Sequence, residues 1–177
     1  MRFGDSDFDD VGDFHEKFGL DNVTHHGAGQ RDVDESLMNF RIKFMREELD
    51  EFEGAYEIGD EAGMFDALMD LVYVAMGTAH LKGYPWHSGW AEVQRANMAK
   101  VRAASDGRDS KRSSPWDVVK PPGWTPPDVQ GVLLRTGTCR QCQRDLSKVN
   151  LREVTASSTS RVDIHCPCGA YIGSRAV

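Results

Sequence analysis

The sequence predicts an all-α antiparallel four-helix bundle followed by a small β unit, and three observations predict it. Long stretches of helical periodicity are separated by short breaks at Gly19, Gly59-Asp60 and Gly83-Tyr84-Pro85. Charge divides the chain: residues 1–100 hold 9 Lys/Arg against 21 Asp/Glu, a net of −12, whereas residues 101–177 hold 12 against 7, a net of +5. All four cysteines lie in that second part. The three together divide the chain into a helical domain over 1–103, a Pro-rich linker over 104–130 and a second domain over 131–177.

Each helix has its own punctuation. Helix one covers about 7–18, with Phe8, Val11, Phe14 and Phe18 at spacings of three and four. A polar loop with His25-His26 follows. Helix two runs from about Asp34 to Ile58, and Asp60 caps helix three, which continues to about Lys82. Helix four spans about Trp86 to Val101, with Trp86 and Trp90 as core anchors. Short connections between long helices favour antiparallel neighbours. Between the two domains, the linker carries five of the seven prolines, which force extended backbone, and Trp116 and Trp124 are placed to pin it down.

Composition excludes several classes. With 40% hydrophobic and 28% charged residues the chain can bury a core and stay dissolved. No cationic leader with an apolar segment opens it, so a secretory route is not expected. The longest apolar run, Met64 to Ala79, is interrupted by Asp66 and Asp70 and falls short of a bilayer span. The expectation is a cytoplasmic protein, in the host cytoplasm if phage-encoded, with no membrane partner.

Carboxylates occupy apolar faces. At about 100° per residue with Glu47 at zero, Glu51 falls near 40° and Glu48 near 100°. Phe40, Phe44, Leu37 and Ala55 share that arc, while Glu53, Arg46, Glu57, Asp50 and Lys43 define the polar face. From Met64 to Ala79 the only charges of helix three are Asp66 and Asp70, one turn apart. A helix apolar nearly all round is buried on every side, which implies a homodimer or homotetramer. Clustered acids repel unless neutralised. Salt bridges to Arg41, Arg95 or Lys100 are one solution. A hard divalent cation with oxygen ligands is the other, and magnesium keeps open positions for substrate phosphates. On helix four, Asn97 and Lys100 share a face from which an amide and an ammonium could reach phosphate oxygens, with Arg95 nearby.

The pattern Glu47-Glu48-x-x-Glu51, then Asp70-Leu-Val-Tyr-Val, then Asn97-Met-Ala-Lys100 resembles the MazG-like all-α nucleoside triphosphate pyrophosphohydrolases. These include the phosphoribosyl-ATP pyrophosphohydrolase-like proteins common in bacteriophages. The likeness covers about residues 8–102. It implies magnesium-dependent hydrolysis of an NTP or dNTP between the α and β phosphates, giving NMP and pyrophosphate, by an oligomer. One or two ions would sit on Glu48, Glu51, Asp66 and Asp70, with manganese able to substitute. Glu47 would be a water-orienting base or supporting acid, and Asn97, Lys100 and Arg95 would hold substrate. The chain departs from the family at Ala67, where the second motif usually has Glu; Asp66 is the nearest substitute. Phage relatives include MazZ-type enzymes that convert dGTP to dGMP, so the resemblance implies a deoxypurine triphosphate. A flat slot for its base could come from helix one and the His25-His26 loop.

The C-terminal signal is Cys139-x-x-Cys142, twenty-three residues, then Cys166-x-Cys168, with strand-like alternation in VNLREV and RVDIH. Two cysteine pairs on hairpin tips are the layout of a zinc ribbon holding structural zinc. Disulfides are the alternative, disfavoured in the cytoplasm. The single-residue spacing of the second pair leaves His165 as a substitute for one thiolate. Binding of nucleic acid is not expected, since the modest positive balance falls further once thiolates bind zinc. His15, His80 and His87 are read as packing or surface residues. Two functional classes stand: a pyrophosphohydrolase, or a zinc-ribbon binding or regulatory protein whose helical domain is a degenerate oligomeriser.

Overall fold

A computed structural model describes residues 6–21, 24–25, 31–139, 141–155 and 161–176. His26 lies outside them, as does the His25 side chain, so the expected base-closing loop does too.

Helix α1 (Asp7–Lys17) starts at Ser6, whose hydroxyl accepts from the Asp9 N–H at 3.3 Å. A two-residue ladder follows, β1 (Thr24–His25) against β2 (Arg31–Asp32), antiparallel. Helix α2 (Glu35–Ile58) is capped by Asp34, which accepts from Ser36 N–H at 2.6 Å. Gly59 ends it at φ 72°, a left-handed value that costs a Cβ-bearing residue more than glycine. Asp60 accepts from Gly63 N–H at 3.1 Å and starts α3 (Glu61–Leu81). This tight connection makes α2 and α3 an antiparallel hairpin, the most extensive packing of helices in the chain, and α1 lies on α3.

Helix α4 (Trp86–Met98) stops three residues short of the expected Val101. Val101–Arg102 (β3) instead pairs antiparallel with Val118–Val119 (β4), in the Pro-rich linker, which forms a strap along the helical domain. That segment is pinned by one tryptophan, not two. Trp124 donates Nε1–H to the Ala96 carbonyl at 2.7 Å and stacks under Lys120, whereas Trp116 is 86% exposed. A short helix that periodicity did not announce, α5 (Val129–Leu134), follows, capped by Asp128 on Gly131 N–H. It touches α4 on one side and the C-terminal sheet on the other, where Gln130 donates to the Ser174 carbonyl at 2.7 Å.

The C-terminal sheet is antiparallel, in the order β5 (Arg152–Thr155), β6 (Arg161–His165), β7 (Tyr171–Ala176), with an irregularity at Ile164/His165. Its core is small: Leu146 packs with Cys139 and Cys166, bordered by Val149, Leu151 and Ile172. The described residues are mainly helical with a small antiparallel C-terminal sheet, as expected, whereas the β1–β2 and β3–β4 ladders lie outside that expectation.

Helix α3 is not enclosed on every side by its own chain. Phe65 is 66% exposed, and Leu68, Met69 and Val72 are also exposed, as are Phe40 and Leu49 of α2. At 21 residues α3 is longer than the apolar run inside it, and by length and composition it could cross a membrane. Asp66 and Asp70 within it, and α1 and α2 packed along it, fit a bundle helix with an open apolar face.

Candidate active site and metal-binding clusters

Of the five sequence-predicted acids on the α2–α3 hairpin (Glu47, Glu48, Glu51, Asp66 and Asp70), Glu48 alone is buried, at 5% exposure. Burial pushes its carboxyl above the ordinary value of 4.5, and repulsion from Glu51, Asp70, Glu47 and Asp66 pushes it further. All five sequence-predicted acids thus share one electrostatic neighbourhood. Glu47, Glu51, Asp66 and Asp70 face outward, contrary to the expectation that Glu51 and the two aspartates are buried. The reason is visible in the apolar arc: Phe40 on it is 55% exposed, so the sector is apolar without being covered.

Among the described residues, no internal salt bridge neutralises the cluster. Arg41 is buried, yet its Nη2 donates to the Val74 carbonyl at 2.6 Å and its Nε to Thr78 Oγ1 at 3.1 Å. Lys100 Nζ donates to Asn97 Oδ1 at 2.8 Å, which does bring that predicted pair together at the end of α4. Arg95 is committed elsewhere. It donates to both Glu92 oxygens, to Thr125 Oγ1 and to the Pro126 carbonyl, and it helps hold the Glu92 carboxyl down to about 2. Asp128 N–H also donates to Glu92, so this network fastens the strap to α4. The donor set around Glu48 suits a hard divalent cation, being carboxylate-rich and short of cations. Its oxygens are not gathered as tightly as the cysteine sulfurs, and they are not among the described groups converging within 4.8 Å.

Beside Glu48 and Asp70 opens a cavity of about 330 Å³, also lined by Phe14, His15, Arg41, Phe44, Tyr73 and Val74. Phe14 and Tyr73 meet edge to face at 5.5 Å. Aromatic walls with a few polar groups are the usual make-up of a small-ligand pocket, and the size lies at the lower end of the usual range.

In the C-terminal domain Cys139, Cys142, Cys166 and Cys168 converge, all four sulfurs within 4.8 Å of one another, with no disulfide among them. Cys139 and Cys168, and likewise Cys142 and Cys166, have sulfurs 3.6 Å apart. Backbone donation from Cys142 leads the effects that lower the Cys139 thiol to about 6. Against similar donation from Cys168, burial and the neighbouring sulfurs push Cys166 up to about 12. Four thiols crowded this way resist ionising together without a cation. The one-residue spacing closes because Gly169, at φ 95°, turns the chain so that its N–H meets the Cys166 carbonyl at 2.8 Å. His165 is not a member of the cluster; its Nδ1 lies 3.4 Å from the Gly169 carbonyl and its ring packs on Tyr171. A third convergence escaped periodicity and spacing: His15, Asp21 and His80.

The fold and the acid placement define the helical part as an all-α domain built on an acidic α2–α3 hairpin. Residues 11–97 match the family described as phosphoribosyl-ATP pyrophosphohydrolase, and this domain belongs to that family. Membership bears out the resemblance read from the motifs and points to pyrophosphohydrolase chemistry at the level of the family. The match runs from Val11 in α1 to Asn97 in α4 and stops before the strap and the cysteine cluster. No curated protein matches the chain.

Proposed function

We propose that the chain is a magnesium-dependent pyrophosphohydrolase that converts a (d)NTP and water to (d)NMP and pyrophosphate. One observation carries the reading: a buried Glu48 ringed by four further carboxylates, with no ion pair to it among the described residues, beside an aromatic-walled cavity. Glu48, Glu51, Asp66 and Asp70 would hold one or two ions, with manganese an acceptable substitute. Magnesium there would neutralise phosphate charge and lower the pKa of a bound water. Glu47 would accept the proton of the attacking water as its oxygen adds to the α-phosphorus and the bond to the pyrophosphate oxygen breaks. Asn97 and Lys100 bind phosphate oxygens. Arg95, held by Glu92 and the strap, is not retained as a substrate ligand. Structural zinc in the four-cysteine cluster stabilises the C-terminal sheet.

For the base, the cavity of Phe14, Phe44 and Tyr73 offers ring contacts, and Arg41 and His15 are among its polar lining residues. A purine fits such a slot, and the phage-type resemblance makes dGTP the first choice. Sites that hydrogen-bond the base edge reject analogues by large factors, whereas stacking alone discriminates weakly. Comparing kcat/KM for the eight common NTPs and dNTPs with magnesium, and for phosphoribosyl-ATP, tests this. A preference for dGTP of roughly tenfold or more is expected. Equal rates for the four dNTPs, or a pyrimidine preference, would remove the dGTP proposal.

A second reading has one observation behind it. Ala67, at the position where the family usually carries Glu, is 3% exposed and packed in the hairpin. A degenerate helical oligomeriser with a zinc-ribbon binding or regulatory role would show magnesium-independent inertness toward every substrate in that comparison.

Association of copies is expected from the exposed Phe40, Phe65, Met69 and Val72 on one hairpin. Light scattering at micromolar concentration should return a dimer or tetramer, and Phe65→Glu should shift it toward smaller species. A monomer at that concentration would contradict the packing argument.

A further inference from the structure

We propose that His15, Asp21 and His80 form a further metal site, separate from the carboxylate and cysteine clusters, for a borderline ion of the zinc or cobalt(II) class. The three donor atoms lie within 4.8 Å of one another. Asp21 Oδ1 is 2.9 Å from His80 Nε2 and 3.7 Å from His15 Nδ1. Tetrahedral donors at the usual zinc distances stand about 3.3 Å apart, and these two separations bracket that edge. Two imidazoles and one carboxylate select zinc-class ions over magnesium, which takes oxygen ligands.

The rings are seated by reciprocal glycines. A Cβ on Gly12 of α1 would come 3.3 Å from His80 Cε1, and a Cβ on Gly77 of α3 would come 2.7 Å from His15 Nε2. Each helix omits a side chain where the other helix places its imidazole, and the ring centroids stand 5.1 Å apart. Such seating fixes ligand orientation before an ion arrives. The His15 side chain is 3% exposed and that of Asp21 36%, so the site has a buried floor and a solvent entry. A cavity lined by Asp9, Asp13, Glu16, Asp21 and His80 leaves room for a fourth ligand. His15 and Phe14 also line the cavity beside Glu48. An ion here would therefore clamp that wall of α1 onto α3.

The experiment is a Co²⁺ titration of the metal-stripped full chain in excess magnesium, which keeps the exposed carboxylates occupied. Cysteine ligation produces sulfur-to-cobalt charge-transfer absorption in the near ultraviolet, whereas nitrogen and oxygen ligands give only weak visible bands. The wild type should bind two equivalents, one with each signature. His80→Gln should lose the weak-band equivalent and keep the sulfur bands, and Asp21→Asn, changed at a partly exposed position, should do the same. Cys142→Ser should weaken the sulfur bands and keep the others. A wild type that binds cobalt only through sulfur overturns the site. So does a weak-band equivalent that persists in both His80→Gln and Asp21→Asn.

Discussion

Glu48→Gln and Asp70→Asn are expected to abolish magnesium-dependent hydrolysis while leaving the fold in place. Residues that merely support a metal ligand typically cost 10–100-fold when removed, so a proposed direct ligand should cost about 100-fold or more. The same substitution should stabilise the metal-stripped protein. Burial raises the folded-state pKa of Glu48 above 4.5, its ordinary value, so the folded protein holds that proton more tightly than the unfolded chain. The associated stability is present below pH 4.5 and is lost as pH rises through the higher folded value. Metal-stripped wild type should therefore lose stability from about pH 4.5 toward neutrality, magnesium should restore it, and Glu48→Gln should flatten both effects. A gain of about 1 kcal/mol in the variant would raise Tm by roughly 2–4 °C in a chain of this size. Near-normal turnover in either variant would mean that the assigned acids are not the site.

Cys142→Ser should cost the C-terminal domain its order and one equivalent of zinc by elemental analysis. Its apolar core is little more than Leu146 packed with Cys139 and Cys166, and Val162 and Ile164 are the other buried apolar side chains there. Structural zinc sites supply apparent binding free energies of about 10–16 kcal/mol near neutral pH, which is folding free energy when no core exists without them. Hydrogen exchange should thus become fast across β5, β6 and β7 in the variant and stay slow in α2 and α3. Unchanged zinc content, or a protected sheet after chelation, would contradict a metal-dependent fold here. If hydrolysis survives loss of the ribbon, its role is accessory to catalysis.

Helix boundaries were legible because local chemistry sets them. Ser6, Asp34 and Asp60 cap their own backbones, and Gly19, Gly59 and Gly83 take left-handed conformations. The early end of α4 was not legible, because Val101 finds a strand partner eighteen residues later in Val119. Helix α5 is too short for periodicity and rests on contacts to α4 and β7. Among the acids, the wheel placed Glu48 correctly and misjudged Glu51, since apolar neighbours such as Phe40 mark a face without saying that this chain covers it. Arg95 looked available for phosphate because Glu92 is one turn away while Thr125 and Pro126 arrive only through the fold. The cysteine spacing was enough to bring four thiols together. No spacing rule would have joined His15 and Asp21 to His80, which lies a whole helical hairpin away in sequence.

The central claim is cleavage between the α and β phosphates, and product analysis tests it most directly. Purified protein of these 177 residues incubated with dGTP and magnesium, followed by anion-exchange chromatography, should give dGMP and pyrophosphate in equal amounts, with neither formed in excess chelator or by Asp70→Asn. Release of orthophosphate with dGDP, or no turnover of any of the eight common nucleoside triphosphates, would contradict it.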